Sequence, residues 1–193
     1  MKNKNNIRLL IMATMLAVAL LIAGCDGAAP VNQPAPTVSE KVTEQSQPLT
    51  ASSNQEKTMQ LVVYFATKDA MYLVPETHKV PVNSHPARTA VELLIAGSKN
   101  PELVGVMPSG TKLKNIVIKD HIAYVDFDDK LIKKNVGGSA SETLLVGAIV
   151  NTLTEFPDIL HVQILVDGKK IDTISGHMDT SEPLSRSERI IKK

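Results

Sequence analysis

The sequence predicts an α+β domain of two layers, a mainly antiparallel sheet with two helices on one face, in the order β-β-α-β-β-α-β-β. Three observations predict it. Segments rich in β-branched residues with period-two alternation come in pairs joined by short polar turns. Two other segments repeat their apolar residues with helical spacing. Asp167-Gly168, between two such strands, is the strongest hairpin turn signal in the chain.

Met59 to Phe65 reads as a strand with Met59, Leu61, Val63 and Phe65 on one face. Met71 to Val74 reads as its hairpin partner across Thr67-Lys68-Asp69, and Pro75 and Pro81 mark edge or extended backbone. Ser84-His85-Pro86 then opens a helix, with Ser84 as cap and Pro86 in the first turn. Its apolar face is Ala87, Ala90, Val91, Leu94 and Ile95, and Gly97 suits the residue after its end. The stretch from Ser98 to Gly110 holds prolines and glycines and reads as loop.

Thr111 to Ile118 and Ile122 to Phe127 are two strands closing tightly around Lys119-Asp120-His121, with Ala123, Val125 and Phe127 sharing a face. A polar loop runs to Gly137-Gly138. Ser139, with Glu142 three residues on, has the pattern of a capping box and starts the longest helix. That helix is apolar nearly all round, from Leu144 to Phe156, so burial on most sides is expected; a face left exposed would be a partner surface. Pro157 stops it. Leu160 to Val166 alternates with Leu160, Val162, Ile164 and Val166 inward, and Lys169 to Ile174 is the return strand. The chain from Gly176 is polar, and the end near Ile190 forms a last turn or frays.

Before this domain the composition changes twice. Met1 to Arg8 is basic, and Leu9 to Ile22 is an apolar run of about fourteen residues, the length of a signal peptide and short of the roughly 20 a membrane span needs. Leu21-Ile22-Ala23-Gly24-Cys25 follows and resembles a bacterial lipobox, which implies cleavage after residue 24 and a diacylglycerol on the Cys25 sulfur. Residues 25–58 hold the lipidated Cys25 and a linker with Pro30, Pro34, Pro36 and Pro48 among Gln, Ser and Thr, too polar to offset its own ordering. Such a tether averages roughly 30 Å end to end. The organisation is thus a signal peptide (1–24), a lipidated linker (25–58), a globular domain (59–184) and a C-terminal tail (185–193).

Charge and composition exclude some functions. Taking Lys2, Lys4 and Arg8 from the 21 basic residues leaves 18 against 20 acidic ones, so the mature chain is near −2. With no basic stripe and no Trp, nucleic-acid binding lacks both its cations and its stacking platforms. Cys25 is the one cysteine, so neither a disulfide framework nor a Cys-rich zinc site is available. Asp126, Asp128 and Asp129 are the densest carboxylates; they suit a divalent cation or glycan hydrolysis, or simply a strand end turning into solvent. His78, His85, His121, His161 and His177 show no metal-ligand spacing and read as surface or edge residues. Ser139 and Ser141 beside Gly137-Gly138 fit an anion nest or a helix cap, and the capping box accounts for Ser139. No catalytic residue, cofactor or metal site is assigned; the assigned site is Cys25.

Several runs together carry a family resemblance. They are Tyr64-Phe65, Tyr72-Leu73-Val74-Pro75, Leu93-Leu94, the run from Met107 to Lys112, the run from Ala123 to Phe127, Asn151 to Phe156, Val162 to Gly168, and Gly176 to Asp179. In that order and spacing they resemble the GerMN domain of sporulation and spore germination. Asn151 to Phe156 and Val162 to Gly168 are the most specific pieces. His78 stands near a place where the family often has Arg, and Gly97-Ser98 where it often has Gly-Pro. The resemblance implies an extracytoplasmic, non-catalytic domain similar to the ring-building domains of sporulation secretion complexes. The expected role is a scaffold or assembly factor of the cell envelope. It would be held to the membrane by the lipid on Cys25 and contact other envelope or sporulation-complex proteins or further copies of itself. A tethered glycan- or small-ligand-binding module of the wall is the alternative.

Cys25→Ala is expected to release the protein from the membrane fraction or block its processing, read by fractionation and immunoblot. Normal cutting with retention at the membrane would refute the lipobox reading.

Overall fold

The computed structural model describes residues 57–193; Cys25 and the segments read from the sequence as a signal peptide and linker, up to residue 56, lie outside them. Strand β1 (Thr58–Thr67) pairs antiparallel with β2 (Leu73–Pro81) in an unbroken register from Thr58 opposite Pro81 to Ala66 opposite Leu73. The second strand is thus longer than its sequence suggests and runs through both prolines. Hydrogen bonding explains why they are tolerated. Thr67 N donates to Tyr72 O and Val82 N to Lys57 O, so even-numbered residues of this arm turn their backbone toward β1. Antiparallel pairing alternates, so Pro75 and Pro81 face outward, where a missing N–H breaks no bond.

Helix α1 (Pro86–Ala96) buries Ala87, Ala90, Val91 and Leu94, the face read from the sequence. Ser84 does not cap it. Its hydroxyl lies 2.7 Å from His85 Nδ1, and His85 is the N-cap residue without a side-chain cap bond. Gly97 ends the helix at φ 87°, donating its N–H to Leu93 O. In the following loop two residues, β3 (Leu103–Val104), pair with Ala66 and Thr67, giving a sheet ordered β2-β1-β3.

Strands β4 (Leu113–Lys119) and β5 (Ile122–Phe127) are antiparallel, and Asp120 and His121 both take positive φ, as a two-residue hairpin turn of this hand demands. The polar loop after β5 contains a single-turn helix α2 (Lys130–Lys133), whose Leu131 is buried. Helix α3 (Ser139–Leu153) follows and buries Glu142 and every residue from Leu144 to Leu153. No face of it remains as a partner surface. It packs on β1, β2, β6 (His161–Val166) and α1.

The strand β6 lies parallel to β5, since α3 carries the chain back across the domain between them. Its other side takes β7 (Lys169–Lys170) at one end and β8 (Leu184–Ser185) at the other, both antiparallel. The class is therefore α+β with mostly antiparallel pairing, as the sequence predicts, but the strands divide between two sheets and one pair is parallel. Leu160, expected inward, is 56% exposed; it precedes β6, and its N–H donates to His121 O. Asp167 and Gly168 form the predicted turn at φ 50° and 77°.

Residues 185–193 lie in the same compact unit as the rest of the domain. Ile191 bridges Leu73 and Lys192 N donates to Leu73 O, so the chain end covers the start of the β2 edge. Between them Ile190 lies on α3 at Gly147. A Cβ on Gly147 would meet Ile190 Cδ1 at 2.2 Å, so the Ile190 side chain would have to swing aside to admit one.

Gly147→Ala should lower stability by no more than about 1 kcal/mol in urea unfolding, because the cost of displacing Ile190 is partly offset by the roughly 1 kcal/mol that Ala gains over Gly inside a helix. Ile190→Ala in the same chain should recover part of that loss, because the two positions share one contact; strictly additive effects would rule the contact out.

Candidate functional site

The carboxylates singled out in the sequence do not form one site. Asp126 Oδ1 accepts from Gly168 N at 2.8 Å and pins the β6–β7 turn to β5. Asp128 Oδ1 accepts from Lys112 N at 2.9 Å, holding the start of β4. Asp129 pairs with Lys133 one helical turn on, and that lysine holds its carboxyl below the usual carboxylate range. Asp128 and Asp129 thus act on neighbouring backbone and lysines. Among the described residues no three His, Cys, Asp or Glu side chains lie together as metal ligands do.

The histidines are scattered too. His85 meets Ser84, His121 Nδ1 lies 3.1 Å from Asp158 O, and His161 Nδ1 is 2.9 Å from Ser185 Oγ. His78 differs from the surface residue expected. It is 7% exposed, with its ring 6.1 Å from that of Phe65. Glu76 Oε1 lies 2.8 Å from its Nε2, yet that nitrogen makes no well-aligned hydrogen bond, so the contact is one of proximity. Burial alone would push the Glu76 carboxyl up; the Ser98 hydroxyl, the Lys99 N–H and His78 outweigh it and hold it low.

Two polar constellations are built in depth, and both bind the chain to itself. In the first, Glu142 is fully buried and does not return to the helix start as a capping box would; Gly138 is the N-cap, without a side-chain cap bond, and Ser139 offers only its carbonyl, to Thr143 Oγ1. Glu142 Oε1 accepts from Thr173 Oγ1 at 2.8 Å, Ile174 N at 3.0 Å and Ser175 N at 2.8 Å, and Oε2 accepts from His177 N at 2.9 Å. Burial raises its carboxyl, but these donors overcome that and set it below the ordinary glutamate value. The cradle also explains why β7 stops at Lys170: residues 173–177 turn toward α3 instead of continuing the predicted strand.

The second constellation is built on the Asn151–Phe156 run. Thr152 Oγ1 accepts from Tyr64 N at 3.1 Å, so the helix stands where a strand would otherwise pair with β1. Asn151, fully buried, donates from Nδ2 to Ser187 O at 3.0 Å and accepts from Ser187 N at 2.9 Å, mimicking a strand partner. Arg186 closes the group. It donates to Tyr64 Oη at 2.6 Å and Asn151 O at 3.2 Å, pairs with Glu155 at 2.8 Å and with Glu188, and its guanidinium lies 5.3 Å from the Tyr64 ring centre. Tyr64 in turn donates to Glu155 Oε1 at 2.7 Å. Burial and that carboxylate raise the Tyr64 phenol, while the acceptors around Arg186 outweigh its desolvation and keep it charged.

The sequence marked Asn151 to Phe156 as characteristic but not why, since its partners Tyr64 and Arg186 lie far away along the chain. Cys25 lies outside the described residues. A surface cleft of about 350 Å³ lies between the β1–β2 turn, the 104–109 loop and the start of α3. A second, of about 450 Å³, lies between β2 and the end of α1.

Fold and polar groups together define a small two-sheet α+β module whose most fully hydrogen-bonded buried side chains tie its own backbone. The family described as "Germane: Sporulation and spore germination" matches residues 62–172. The chain belongs to that family, as the resemblance in its motifs implied. It is 28% identical to the "Spore germination protein GerM" of Bacillus subtilis (strain 168) over 204 residues, covering 92% of this chain and 55% of that protein. This chain therefore spans about half the length of that curated relative. Among solved structures it resembles the first GerMN domain of the sporulation protein GerM from Bacillus subtilis, with TM-score 0.58 and 26% identity, covering 67% of this chain and 98% of that one. The tandem GerMN domains of the same protein match its fold at TM-score 0.58 and 24% identity, over 67% of this chain and 46% of that one.

Glu142→Gln should cost about 1–3 kcal/mol at neutral pH, the penalty for weakening a buried set of charge-assisted bonds. Because its folded pKa is depressed, the wild-type contribution is present above the unfolded value of about 4.3 and is lost as pH falls through the lower folded value. Denaturant unfolding of both proteins across the acid range should therefore show their difference shrinking at low pH; a constant difference would count against the cradle.

Proposed function

We propose that this protein is a lipid-anchored, extracytoplasmic assembly or scaffold protein of the cell envelope, acting without catalysis in sporulation or spore germination. The observation that carries the reading is what its family-specific residues do. Asn151, Thr152 and Glu155 shape and hold the domain through Tyr64, Arg186 and Ser187. A domain whose characteristic polar residues are occupied by its own backbone leaves contact with partners, rather than chemistry at those residues, as the role that best fits them. Family membership supports the developmental setting. The lipobox ending in Cys25, followed by a polar linker, supports the anchoring: two acyl chains hold a protein stably where one is marginal.

The test is a crosslinking pull-down from intact cells, in growth and in starvation, with the anchored protein as bait. Enrichment of envelope or sporulation-complex proteins under starvation, reduced by Cys25→Ala, is the expected result. Recovery of wall glycan with no protein partner would overturn the scaffold and favour a tethered glycan-binding module.

A further inference from the structure

We propose that the outer edge of β2 is a docking strand for an extended acidic peptide segment of a partner protein, added beside Thr77 and Lys79. The inference deepens the scaffold reading and rests on it for the partner's being a protein. The outer strand of its sheet, β2 has, among the described residues, Leu73 covered by Ile191 and Lys192 and the Pro81 carbonyl covered by Asn83 Nδ2 at 3.4 Å. Beyond Leu73, the residues whose backbone faces outward are Pro75, Thr77, Lys79 and Pro81. The prolines have no N–H, so the outward donors of this stretch are those of Thr77 and Lys79. Each proline blocks further pairing on its side. An incoming strand therefore has one short register to occupy, which turns an aggregation-prone edge into a defined one.

The cleft of about 450 Å³ runs along this window, between β2 and the end of α1. Val80 and Leu93 give it an apolar floor, and His78 lies beneath. Lys99 stands exposed beside the cleft and Lys79 stands exposed on the opposite face of the same strand, and neither has a carboxylate partner within ion-pair distance among the described residues. Glu76, the carboxylate of the lining, is already engaged by Ser98, the Lys99 N–H and His78. The unmet charge is positive, and strand addition supplies affinity through the main chain and specificity through alternate side chains. The fitting occupant alternates acidic and apolar residues. A second copy of this chain fits poorly, because antiparallel pairing of two β2 edges at this window brings their Lys79 side chains into diagonal contact.

Hydrogen–deuterium exchange on the full chain in detergent micelles tests the proposal, with a short synthetic peptide of alternating Glu and Val as probe and one of alternating Lys and Val as control. The acidic peptide should slow exchange in residues 73–82, and the control should not. Lys79→Glu with Lys99→Glu should weaken its binding at least about tenfold, the scale of one well-placed charge contact. Thr77→Pro removes one outward donor and should abolish binding while exchange in α3 stays unchanged. Protection elsewhere, equal protection by both peptides, or protection that rises with protein concentration when no peptide is present would each overturn it, the last by assigning the edge to a second copy. Peptide binding depends on neither anchoring nor starvation, so failure here leaves the pull-down result standing, and the reverse.

Discussion

Everything else in the domain is arranged around the burial of α3. Eleven of its fifteen residues are buried, among them Glu142, Asn151 and Thr152, each with no exposed surface. Burying such groups without partners costs several kcal/mol, so each fixes a piece of chain that supplies them. Glu142 draws in residues 173–177, Asn151 draws in Ser187, and Thr152 meets the edge of β1. The helix is thus both the apolar centre and the polar organiser of the two sheets beside it.

That double role explains the strand arrangement. A helix between β5 and β6 makes their parallel pairing possible, whereas short turns permit only antiparallel neighbours. The return strand after Asp167-Gly168 stays at two residues because the cradle at Glu142 competes for the same backbone and offers a charged acceptor. Charge-assisted bonds are roughly twice as strong as neutral ones, and here they prevail over the ladder. The chain end completes the enclosure: Ile190 lies against Gly147, and Arg186 joins Tyr64 to Glu155.

For function, the consequence is a domain with a firm interior and chemistry placed at its margins. Its densest carboxylates, Asp126, Asp128 and Asp129, serve turns and strand starts. Its open strand edge is limited by prolines whose missing N–H groups leave a short accessible window. A compact domain of this kind, on the lipid-anchored tether proposed above, would suit capture and alignment of partners near a membrane.

The sequence by itself determined the local elements: the β1–β2 hairpin, the apolar face of α1, the turns at Asp120-His121 and Asp167-Gly168, and the near-complete burial of α3. These follow from periodicity and turn chemistry within a few residues. It also carried the family, through runs whose spacing survives without knowledge of what they touch. The tertiary structure alone decided what Glu142 and Ser84 do, since a capping pattern describes neighbours and says nothing of a stronger set of donors arriving from residues 173–177. It alone decided that Leu160 lies outside, that His78 lies inside, and that β6 runs parallel to β5. Tyr64, Asn151 and Arg186 meet only after the chain has closed on itself. Alternation and capping act over a handful of residues, whereas these contacts join residues as many as 122 apart in the chain, and only packing chooses among such pairings.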